Sequence, residues 1–151
     1  MECLSDIRAC YEFVGREHLS IDVSRIVEMP MDRANPSCRA FLYAILEMTR
    51  GKVKHALDFI QQAREHAADI EELTYVLYVE GVLLSREGDY QQAIARHTRC
   101  AEVCKLTGDR RLESDALLYL SKVYLKLGEP AIAKIYEKEA ALAMPRRRRD
   151  I

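Results

Sequence analysis

Two cysteines four residues apart, Cys100 and Cys104, have a spacing that first suggests chemistry. On a helix such a pair shares one face, and two thiolates so placed could hold a soft metal ion. A closed metal site needs two further ligands, and none stands at compatible spacing. His18, His55, His66 and His97 form neither an HExxH pattern nor a Cys/His cluster. Both cysteines therefore read as small buried hydrophobes, and no metal or other cofactor is assigned. The neighbouring carboxylates Glu71 and Glu72, and Glu137 and Glu139, read as solvated helix faces. There is no G-x-S-x-G elbow, no phosphate-cradling G-x-x-x-x-G-K-[ST] and no G-x-G-x-x-G, and nothing sets a nucleophile beside a base. No enzymatic activity is expected. The one charge run, Arg146 to Arg149 after Pro145, could meet phosphates or acidic protein surface. Its position at a terminus, behind a helix-stopping proline, favours a solvated basic tail over residues 145–151.

The elements that position these residues come from a chain of 151 residues, enough for one domain or one short stack of repeats. Hydrophobic residues at 49% beside charged residues at 31% describe a folded chain, and a net charge of -1 supplies no overall field to attract nucleic acid or an anionic membrane. Nucleic acid is disfavoured except through Arg146 to Arg149. Apolar stretches are broken by Glu47, Glu80 or Lys122, so no membrane span is expected. The amino terminus lacks a signal-peptide pattern. With five cysteines at irregular spacing, reduced thiols and a cytoplasmic location are the expectation.

Gly15, Gly51, Gly88 and Gly128 follow one another at intervals of 36, 37 and 40. Small residues keep station around them: Ala44, Gly81 and Ser121 before, and Ser20, Ala56, Ala93 and Ala133 after. Apolar residues such as Leu77, Leu84, Leu117, Leu120 and Tyr124 recur at helical spacing, and strand alternation is absent. Gly88 suits a helix-closing left-handed turn, with Asp89 and Gln92 forming a capping box for the next helix. Pro130 fits a first helical position, Gly108 and Asp109 offer a stop and a cap, and Asn35 offers a cap before Pro36. Eight helices are expected, near 2–14, 18–28, 37–50, 53–67, 72–87, 90–106, 110–127 and 130–144.

The stretch LYVEGVLLSREGDYQQAIARHTRCAEV, with LLYLSKVYLKLGEPAIAKIYEKEAALA after it, resembles tetratricopeptide repeats (TPR) of the longer kind found in bacterial regulators and kinesin light chains. Glu47 stands where the family usually has an apolar group, and Arg8 where it has a small residue. The resemblance implies an all-α, right-handed superhelix of about four hairpins. On that reading residues 1–144 are expected to form a single solenoid, with repeats near 1–30, 37–70, 72–106 and 110–144. One hairpin cannot bury its own apolar stripe, so hairpins stack.

Family geometry would place the first helix of each hairpin along a concave groove. It would bring Cys38, Phe41, Ile45 and Met48 there, with Tyr75, Tyr78, Val82 and Arg86, and Asp115, Leu118, Lys122 and Lys126. Aromatic and aliphatic anchors with cations suit a partner peptide or amphipathic helix with an acidic flank. Equally, Phe41, Ile45, Tyr75 and Tyr78 could be ordinary core or be covered by the first hairpin. A single asparagine, Asn35, disfavours the carboxylate clamp and peptide-backbone grip of some relatives. The implied function is protein binding as an adaptor or chaperone, including a secretion chaperone. The alternative is the sensory or oligomerising part of a transcriptional regulator, which a helix-turn-helix beyond residue 151 would favour. The last helix has no expected cap, so Ile132, Ile135, Tyr136 and Leu142 are candidates for partial exposure, and self-association or docking of another chain is expected on this edge.

Overall fold

A computed structural model describes residues 36–144. Six α-helices and no strand occupy them: α1 (Pro36–Thr49), α2 (Val53–Glu65), α3 (Ile70–Arg86), α4 (Tyr90–Thr107), α5 (Arg110–Lys126) and α6 (Pro130–Ala143). All lie within two residues of their expected ends. The expected hairpin at 1–30, the Asn35 cap and the basic tail at 145–151 fall outside the described residues.

Local chemistry accounts for the boundaries. Gly88 ends α3 with φ at +84°, a left-handed conformation that a side chain would strain, and Gly51, Gly108 and Gly128 make the same turn. Asp89 Oδ1 accepts from the Gln92 backbone N–H at 3.3 Å. The expected reciprocal half of that box is absent, because the Asp89 N–H donates to the Leu84 carbonyl instead. Asp109 caps α5 by accepting from the Leu112 N–H at 3.1 Å. The best-formed cap was not anticipated: Asp69 accepts from the Glu72 N–H at 2.8 Å, while Glu72 reaches back to the Ala68 N–H at 3.0 Å. That pair starts α3 two residues earlier than its apolar stripe suggests, and such a cap is worth about 1 kcal/mol.

Three hydrogen bonds put the hairpins in register. Ser37 Oγ donates to the Ala63 carbonyl at 3.0 Å, Cys100 Sγ to the Thr74 carbonyl at 3.4 Å, and Ser114 Oγ to the Ala140 carbonyl at 2.9 Å, each across 26 residues. Each helix packs on the one that follows it, and α3 also touches α1 and α5, so the hairpins stand side by side in chain order. The small residues do what their spacing suggests: Ala44, Ala56, Ala93 and Ala133 are buried, and Ser121 Oγ donates to the Ala133 carbonyl at 2.7 Å. One continuous apolar cluster runs through all three hairpins.

Candidate partner-binding surface

The register makes Phe41, Tyr78 and Leu118 counterparts in successive hairpins, as it does Ile45, Val82 and Lys122. Their environments differ. Phe41, Ile45, Met48, Tyr75, Tyr78 and Val82 all belong to the apolar core, Phe41 and Ile45 with no exposed surface and Tyr78 with 2%. These six residues do not present an open face, and the other reading of Phe41, Ile45, Tyr75 and Tyr78, as core, describes where they sit. Arg86, Leu118, Lys122 and Lys126 are exposed, Leu118 by 40%. Leu118, Lys122 and Lys126 are spaced four apart along α5, so they form one stripe with a leucine at one end and two cations beyond it.

An aromatic stack leads from the core to that stripe. Tyr78 meets His97 edge-on at 5.3 Å, His97 stacks on Tyr119 at 4.7 Å, and the Lys122 ammonium lies 5.5 Å above the Tyr119 ring. Arrangements of the last kind favour a cation modestly at a partly exposed site. His97 is fully buried and neither ring nitrogen has a hydrogen-bond partner among the described residues. Burial lowers its pKa to about 3, so the ring is neutral at ordinary pH. Its place is made by Gly81, where a Cβ would come within 2.5 Å of His97 Nε2.

A second buried polar group escaped sequence reasoning. Glu80, on α3, lies between Arg64 of α2, whose Nε is 3.3 Å away, and Arg96 of α4, whose Nε donates at 3.0 Å. The carboxylate is almost wholly buried while both arginines keep some solvent contact. This triad ties three helices together. The places of Glu80 and Arg96 are taken by Tyr43 and Phe59 one hairpin earlier, where the rings meet at 5.3 Å. One packing position is thus aromatic in one hairpin and ionic in the next. Glu47, at its unusual position, is largely shielded and pairs with Arg50 at 3.0 Å, with His55 Nδ1 at 3.5 Å.

Cys100 and Cys104 are free and buried. A hydrogen bond with Cys104, followed by burial, raises the Cys100 pKa, which opposes thiolate formation. No group of three or more potential metal ligands occurs among the described residues. Cys38 is disulfide-bonded, which corrects the expectation of five reduced thiols. At the last helix, Ile132, Ile135 and Leu142 are exposed, whereas Tyr136 stacks on Tyr124 at 5.4 Å and is only partly exposed. Desolvation, then the charge of Tyr124, raises the Tyr136 pKa. Among the described residues no helix is long and apolar enough to cross a membrane.

Comparison with known proteins finds no matching family model and no matching curated protein.

Proposed function

We propose that this chain is a TPR-like stack of helical hairpins, coiled as a right-handed superhelix, that works without catalysis as an adaptor or chaperone binding a partner segment. The binding surface is the α5 stripe of Leu118, Lys122 and Lys126, with Arg86 at the corresponding end of α3. The observation that supports it is the exposure of Leu118 and Lys122 at positions whose counterparts, Phe41 and Ile45, then Tyr78 and Val82, are buried. A leucine followed by cations suits an amphipathic helix with one apolar anchor and an acidic flank, the cations setting orientation and association rate.

A displayed library of amphipathic helical peptides with acidic flanks tests this reading. Selected binders are expected to weaken by about tenfold on Lys122→Glu with Lys126→Glu, and to weaken as salt is raised. A library that returns no saturable binder, or binders indifferent to that double variant, rejects the surface. Both lysines are exposed, so the fold should survive the change.

A further inference from the structure

The register gives every residue of α6 up to Leu142 a counterpart on α2 and α4. Ile132, Ile135 and Leu142 are 36%, 56% and 80% exposed. Their counterparts are His55 and Gln92, Asp58 and Ala95, and Glu65 and Glu102, all of them exposed. This place on the hairpin therefore faces solvent three times over, and is aliphatic at all three sites only in α6. A different face of the second helix meets the following hairpin, through Arg64 to Glu80 and through His97 to Tyr119. In α6 that face carries Ala141 and Glu137, with exposed Lys134 beside them. The aliphatic residues are thus not the surface that another hairpin or a capping helix in its place would cover.

Ile132, Ile135, Glu139 and Leu142 follow at intervals of three, four and three, the spacing of a coiled-coil seam. Glu139 is exposed in the middle of it and makes no ion pair among the described residues. We propose that this seam docks an amphipathic helix from a different protein, with aliphatic residues at matching spacing and a lysine or arginine opposite Glu139. Charge selects this occupant over a second copy of the chain. Parallel self-pairing would set two Glu139 carboxylates against each other, and antiparallel pairing would bury one against an isoleucine with no counter-ion. A hetero-partner gains further contact at the end of the seam. There Glu139 and Leu142 help wall an open pocket of about 410 Å³ whose rim includes Lys105, Arg110, Glu113 and Leu117. Lys138, on the flank of the seam, favours a carboxylate at the partner's edge. The site is separate from the α5 stripe, and its test uses different variants.

The experiment measures fluorescence anisotropy of two labelled heptad peptides, identical except for lysine or glutamate at the central seam position, titrated with the whole chain. The lysine peptide is expected to saturate in the micromolar range and the glutamate peptide to bind about tenfold more weakly or worse. Glu139→Lys is expected to reverse that preference, and Ile135→Asp to abolish binding of both. Equal affinities, no binding by either peptide, or a preference untouched by Glu139→Lys would overturn the proposal. So would a chain that sediments as a dimer and is dissociated by Ile135→Asp, because a second copy would then own the seam. Circular dichroism monitors folding; if Ile135→Asp lowers the melting temperature, the charge reversal at exposed Glu139 still decides the matter.

Discussion

The α3–α4 and α5–α6 hairpins share a backbone plan and fill it differently. The first buries a carboxylate, Glu80, and an unpartnered imidazole, His97, under its helices. The second leaves Leu118, Leu125, Ile132, Ile135 and Leu142 on its surface. Turn glycines and small interface residues fix where helices meet, and the remaining positions are free to be core, ion pair or docking surface hairpin by hairpin. The middle hairpin uses that freedom for internal connection, and the last one leaves aliphatic side chains exposed.

Breaking the triad is the most forceful way to challenge this contrast. Arg96→Ala leaves the buried Glu80 carboxylate with Arg64 alone and is expected to cost about 3 kcal/mol in denaturant unfolding. Lys134→Ala, on the exposed face of α6, should change stability by less than about 0.5 kcal/mol. Comparable losses at the two places would erase the distinction. Gly81→Ala comes next, at about 2 kcal/mol, because the new methyl group must displace His97. His97→Ala in that background should recover part of the loss, a coupling visible in a double-mutant cycle. Additive effects would mean that the imidazole does not occupy the notch.

His97 also gives a pH signature. The folded-state pKa of about 3 lies below the ordinary 6.5, so the unfolded chain binds the proton more readily. Its contribution is fully present above about 6.5 and declines as pH falls toward about 3, by up to about 1.4 kcal/mol for each pH unit. The pH dependence of unfolding in His97→Gln should be flatter than in the parent across that window; superimposable slopes would refute this assignment. Of the substitutions at buried groups, Ser114→Ala is expected to have the smallest effect, because it removes a hydrogen bond to the Ala140 carbonyl but leaves that oxygen its bond from the Met144 N–H. About 0.5–1 kcal/mol in thermal unfolding is expected, with a similar value for Ser37→Ala. A large disparity between them would show that the hairpins are less alike than their register implies.

The helices were legible because their signals are local. Gly88, Gly108, Asp109 and Pro130 mark boundaries within a few residues of the turns they make. Asp69 and Glu72 carry an equally local cap, which lies ahead of the apolar stripe that marks the helix in sequence. Surface assignment was less legible. Periodicity shows which residues share a helix face, and Tyr78 and Leu118 share one across two hairpins, but burial depends on what packs above them. The partners of Glu80 lie 16 residues away in either direction, and no local pattern foretells their meeting. Ile132, Ile135 and Leu142 were found from sequence, but the reason for their exposure required the counterparts on α2 and α4.

The three register-setting hydrogen bonds all span 26 residues, although the turn glycines are 37 residues apart in one step and 40 in the next. The extra length therefore belongs to the joint after the middle hairpin, where α4 runs to 18 residues against 13 for α2 and 14 for α6. A unit of constant internal measure with elastic joints can be copied, and its spacers lengthened, without retuning its interior. Insertions in this chain should be tolerated at those joints and punished inside the hairpins.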